Sequence, residues 1–194
     1  MRSLSEPFRD KLTSDGIRII GARIGGDIDL HNARLNRTLM IEQSRIEGDV
    51  DISAARTDSD IGFIGSRVAG GFAAYEFYGA LSMLMNDAEF QQEVLLTKAN
   101  IATDVDMSGV TCDADIRADT LQVGAHLIMR SSNGNKSSFK CVSLAATKVA
   151  GNVDFDEATL SGELNADLAA GRNAPVDAKG ELPGSNAVRC ENHR

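Results

Sequence analysis

The sequence predicts an all-β repeat protein, a solenoid of short stacked strands, and three observations carry the prediction. The first is a period. Residues 22–32 (ARIGGDIDLHN), 33–43 (ARLNRTLMIEQ) and 44–54 (SRIEGDVDISA) align without a gap, and ten such eleven-residue units run unbroken from 22 to 131. The second is the content of two columns. The seventh reads Ile28, Leu39, Val50, Ile61, Phe72, Met83, Val94, Val105, Ile116, Leu127; the ninth reads Leu30, Ile41, Ile52, Phe63, Ala74, Met85, Leu96, Met107, Ala118, Met129. Every slot is apolar, which marks a repeat architecture. The third is alternation. Columns 1 and 3, like columns 7 and 9, are small or apolar with a polar residue between, as in Ala22-Arg23-Ile24 and Ile28-Asp29-Leu30. That is a period of two, so each unit holds two short strands facing inward. Apolar residues at 3, 7 and 9 form no helical stripe across successive units.

Taken in order, the elements begin with a short helical cap over residues 1–10. Ser5 would cap it, Pro7 would sit in its first turn, and Phe8 with Leu12 would cover the first coil. The repeat domain spans 11–168. Gly25, Gly26, Gly48, Gly65, Gly70 and Gly71 fall between strands and mark sharp turns. The coil holds either eleven residues with two faces or twenty-two with four, and the recurrence of Gly26-Asp27, Gly48-Asp49 and Gly70-Gly71 at the longer spacing favours twenty-two. After Ser131 the phase slips by four residues at Ser132-Asn133-Gly134-Asn135, a turn-forming cluster read as a corner loop. The register resumes at Val142/Leu144, Val149/Val153/Phe155 and Leu160/Leu164. Residues 169–194 lack periodicity and read as a flexible C-terminal tail.

The triplet of a small, a polar and a large apolar residue, as in Ala22-Arg23-Ile24 or Ala99-Asn100-Ile101, resembles the pentapeptide repeat A-(D/N)-L-x-x. Each unit is then one five-residue side plus one six-residue side, a departure from the strict rule in every second side. The resemblance is to divergent bacterial repeat proteins rich in GARIxGDLDL-like units, set beside Gly21-ARIGGDIDL here. It implies a right-handed, four-sided parallel β-helix over most of the chain. It does not assign an activity.

Composition narrows the function. Lys and Arg number 20 against 28 Asp and Glu, a formal charge of -8, which disfavours direct nucleic-acid binding because phosphate contacts draw on basic clusters. No apolar run reaches the roughly 18 residues of a membrane span, and the first residues are too polar for a secretory signal. The three scattered cysteines read as neither a disulfide framework nor a zinc site, with Cys112 a small buried side chain, so a cytoplasmic setting is expected.

Two charged strips are candidates for chemistry. Columns 6 and 8 place Asp27, Asp29, Asp49 and Asp51 on neighbouring coils, where paired carboxylates bind a hard cation or act as an acid–base pair on a glycan; the plainer reading is a solvated face balanced by arginines. Column 2 holds Arg23, Arg34, Arg45, Arg56 and Arg67, which a four-faced coil splits into two ladders. Stacked like charges repel, so partners are expected among the aspartates of columns 6 and 8. A third candidate is apolar: Met40, Leu84 and Ile128 share one outward face, near Tyr75 and Tyr78, and such residues are enriched in interface cores. His31, His126 and His193 are mutually remote, Cys190 with His193 is a weak metal pattern, and no dinucleotide or Walker motif implies a cofactor.

These observations predict a non-catalytic interaction scaffold that binds a protein partner or a second copy of itself, as a homodimer. Three alternatives are an acidic DNA mimic occupying a type II topoisomerase (an expectation from the resemblance alone), a structural polymer, and a glycan-active enzyme using surface carboxylates.

Overall fold

Residues this short in apolar alternation cannot hold a strand alone; each needs a backbone paired above and below. The computed structural model, which describes residues 16–132 and 134–172, satisfies that need with a parallel β-solenoid of about seven turns and no helix. The strands stack in four ladders. The first starts at Ile17–Ile20 and continues through Leu39–Glu42, Ile61–Gly62, Met83–Leu84, Val105–Asp106 and Leu127–Ile128. The second runs from Arg23–Ile24 through Arg45–Ile46, Arg67–Val68 and Glu89–Phe90 to Thr159–Leu160. The third runs from Ile28–Asp29 through Val50–Asp51 to Leu164–Asn165, and the fourth from Arg34–Leu35 through Arg56–Thr57 and Tyr78–Gly79 to Gln122–Val123. Lys148–Asp154 turns a corner and pairs with both the fourth ladder and the first.

Pairing is parallel and skips one unit. Arg23 lies beside Arg45, Asp29 beside Asp51, and Arg34 beside Arg56. The inward columns meet in one core: from Leu39 to Met129 every column 7 and column 9 residue is buried. Ile28 and Leu30 are only partly buried, because they belong to the first turns. Phe72 packs edge-on against Phe63 and Phe90, with ring centroids 5.1 and 5.5 Å apart. Where Phe77 fills a column held mostly by Ala and Ser, Gly79 stands two places on. A Cβ there would come within 3.0 Å of the Phe77 ring, so one volume offsets the other.

The sharp turns are not where the glycines of the sequence place them. Every unit from 22 to 120 closes on a left-handed residue in column 11, including Asn32 at φ 56°, Ala54 at 54°, Lys98 at 59° and Thr120 at 57°. The next unit's first amide donates back across this turn, as from Ala33 to Leu30 at 2.9 Å and from Ala99 to Leu96 at 3.0 Å. Of the six glycines expected at turns, only Gly65 has a positive φ. Gly48 and Gly70 serve close approach instead. A Cβ on Gly48 would strike the Asp27 carboxylate and the Gly26–Asp27 backbone of the turn below, and one on Gly70 would strike Asp49 likewise.

At the insertion the offset between paired residues rises from 22 at Glu89–Thr111 to 27 at Thr111–Ser138, then settles at 26 at Ile116–Val142. The short corner Lys140-Cys141 recovers the extra residue, leaving the slip of four. The loop is pinned by Asp87, which accepts from Ser132 Oγ at 2.5 Å and Asn135 Nδ2 at 2.9 Å, and by Ser137 Oγ, which accepts from the Gly109 amide at 2.9 Å. The last described strand, Ala170–Arg172, pairs with Lys148–Asp154 and lies beyond Leu168. The expected cap over residues 1–10, with Leu12, and the Cys190–His193 pair lie outside the described residues.

Candidate interaction surface

Column 2 projects outward from the second ladder, so Arg23, Arg45 and Arg67 form a stack that must be neutralised or repel. It is neutralised, though not by the residues expected. Arg23 Nε donates to Glu47 Oε1 at 3.0 Å, Arg45 Nε donates to the same oxygen at 2.7 Å, and Arg67 Nη1 lies 3.2 Å from Glu89 Oε1. The hydrogen bond from Arg45 holds the Glu47 carboxyl below its ordinary range. The expectation that column 6 and 8 aspartates would pair these arginines is therefore wrong.

The aspartates are engaged by the backbone. In column 6, Asp27 Oδ1 accepts from the Asp49 amide at 2.9 Å, and Asp49 Oδ1 from the Gly71 amide at 2.8 Å. Asp60 and Asp104 do the same for Ser82 and His126. Each carboxylate clips its own turn to the next. In column 8, Asp29 and Asp51 accept from amides two residues on, His31 at 3.0 Å and Ser53 at 2.8 Å, closing the corner locally. Burial pushes the Asp51 carboxyl up, but its bonds from Ser53 outweigh that and leave it below the usual range. Among the described residues no group of three or more His, Cys, Asp or Glu side chains is placed to hold a metal ion.

The apolar candidates divide. Met40, Leu84 and Ile128 do share the first ladder, but Gly62 stands between Met40 and Leu84, and Asp106 between Leu84 and Ile128. Met40 folds over Gly62, its sulfur 2.6 Å from where a Cβ would be. All three are half-buried, so the strip is interrupted and partly covered. Tyr75 and Tyr78 are different: both are 40% exposed, and Leu81, which sequence reasoning passed over, is 41% exposed in the same turn. Arg56 lies over the Tyr78 ring, 5.5 Å from its centroid, and the Lys98 ammonium 5.1 Å from that of Tyr75. Lys98 Nζ also donates to Tyr75 Oη at 2.7 Å and to Glu76 at 3.3 Å, and these bonds push its pKa up.

Cys112 is buried and its thiol is pushed up to about 11 by desolvation, which leaves it an inert neutral thiol. Cys141 is disulfide-bonded, which the scattered cysteine positions did not suggest. No helix among the described residues is long and apolar enough to cross a membrane. No family model matches the chain, and neither a curated protein nor a solved structure matches it.

Proposed function

We propose that the protein is a non-catalytic interaction scaffold, built as a pentapeptide-repeat-like, right-handed, four-sided coil of 22 residues per turn. The coil geometry is supported by the stacking of Arg23 on Arg45 and of Asp29 on Asp51, and by the small–polar–large triplets that open each unit. The observation that carries the scaffold reading is a contrast on the surface. The aspartates that suggested catalysis or metal binding are used to fasten turn to turn or to close corners, whereas Tyr75, Tyr78 and Leu81 remain open to solvent in a single turn. Aromatic and apolar side chains left exposed together on a rigid rod favour association over chemistry. Stacked arginines on two ladders speak against the uniformly acidic face that a DNA mimic needs.

Sedimentation velocity on the parent chain, Tyr75→Ser/Tyr78→Ser and Leu84→Arg tests the reading, with circular dichroism to confirm the fold. The parent sediments as a self-associated species or with a host protein, the double tyrosine variant loses that species, and neutralising Asp27 and Asp29 leaves the contact surface unchanged. A parent that stays monomeric and binds nothing in host lysate defeats the scaffold reading.

A further inference from the structure

We propose that the outward edge of the fourth ladder is a binding strip for an extended, acidic polypeptide segment. This rests on the scaffold reading and names the chemistry of its partner. The outward residues of that ladder, taken turn by turn, are Arg34, Arg56, Tyr78, Asn100, Gln122 and Lys148. It is the one ladder whose outward row carries no carboxylate between residues 34 and 148; the first carries Asp106 and Asp154, the second Glu89, the third Asp29 and Asp51. In a chain of net charge -8, a row holding three cations and no acid is an unusual retention of positive charge.

Those cations are also unpaired with carboxylates. Among the described residues Arg34, Arg56 and Lys148 enter no ion pair, and Arg34 and Arg56 stand exposed on adjacent turns. Asp58, Glu76 and Asp119 stand at the corners beside the row. Glu76 is taken by Lys98, and Asp119 accepts from Ser143 Oγ and the Ala145 amide. Two adjacent guanidiniums offer forks suited to carboxylates.

The middle of the strip selects polypeptide over other anions. Asn100 and Gln122 can each donate to and accept from a peptide group. The row spans about 24 Å at about 4.8 Å per turn, the reach of about seven extended residues. Tyr75 and Leu81 flank Tyr78 on either side, a place for one apolar anchor. Single-stranded nucleic acid is a poorer match. It presents phosphates far more densely than this row presents cations, and it needs open rings to stack on, whereas Tyr78 already has one face covered by Arg56 and Tyr75 is held at its hydroxyl by Lys98. The same covering disfavours sugar stacking.

Fluorescence anisotropy on the full chain tests this, with a labelled peptide of about seven residues bearing glutamate at alternate positions and one central leucine. Its glutamine counterpart, an oligothymidylate and a sulfated oligosaccharide are the comparison probes. The glutamate peptide binds the parent, the glutamine peptide binds about tenfold or more weakly, and Arg34→Gln/Arg56→Gln weakens the glutamate peptide by about tenfold or more. Arg117→Gln, which removes a cation from the third ladder, leaves binding unchanged. Equal binding of the two peptides, full binding by the double variant, or preference for the oligonucleotide or glycan overturns the proposal. So does absence of peptide binding; if the parent still associates through Tyr75 and Tyr78 in sedimentation, the strip fails and the scaffold stands.

Discussion

The second and fourth ladders begin from the same column of the repeat, both with stacked arginines, and end in opposite electrostatic states. Two residues after Arg45 comes Glu47, which draws in both Arg45 and Arg23. Two residues after Arg56, in the corresponding place, comes Asp58, and no ion pair joins it to Arg56, which lies over Tyr78 instead. The chemical difference is one methylene. Glutamate is long enough to fold back along the strand edge to a guanidinium two positions away; aspartate at a corner is not, and it tends to bond backbone. A repeat thus sets where a side chain points, while its length decides whether the charge is neutralised on the rod or presented to a partner.

Four measurements break or sharpen that contrast. The largest effect is expected for Ile52→Asp, which removes both ladders at once. Ile52 is fully buried, and a lone carboxylate there costs on the order of several kcal/mol and spreads to both neighbouring turns. The variant should lose its β-type circular dichroism; a cooperatively folded, soluble protein would contradict the inward assignment. Gly48→Ala comes next. It strikes the Asp27 clip beside Glu47, so it should lower stability in urea by about 1–3 kcal/mol, whereas Gly26→Ala, with nothing within 4 Å of its Cβ, should lower it far less. Asp58→Glu is the sharpest test of the comparison itself. The added methylene should let residue 58 pair with Arg56, with a gain of about 0.2–1 kcal/mol in urea denaturation and weaker binding of the acidic peptide. The smallest effect is acid sensitivity of the second and third ladders. Glu47 is held below its ordinary value of 4.5, and Asp51 below 3.8. A carboxyl whose native pKa is depressed stabilises the fold above its unfolded value and loses that contribution as pH falls through the native one. The parent's midpoint should therefore drop as pH falls below about 4.5, and Glu47→Gln should flatten the onset of that drop.

Legibility in the sequence followed the physics of the period. Columns 7 and 9 were readable because burial tolerates any apolar residue but no polar one, so ten successive units carry the same signal; Cys112 was placed inward on the same grounds. The recurrence of Gly26-Asp27, Gly48-Asp49 and Gly70-Gly71 was visible, but its cause, steric room for the Asp27 and Asp49 clips, is revealed only by the stacked turns. The left-handed corner residues were hidden, because Gln43, Glu76, Lys98 and Thr120 share no chemistry that betrays a positive φ. The stacking of the next turn holds them there despite the local strain.

By itself, then, the chain determined an all-β solenoid with inward columns 7 and 9, since a fixed period of apolar pairs has no other way to leave water. Only the tertiary structure decided which outward charges were spent. Asp27 bonds an amide that arrives one turn later, Arg23 finds Glu47 across a turn, and Arg56 finds Tyr78. Each pairing joins residues more than twenty positions apart and depends on reach, angle and a neighbour's size. A one-dimensional pattern records the first neighbour in the column but not how far its side chain extends.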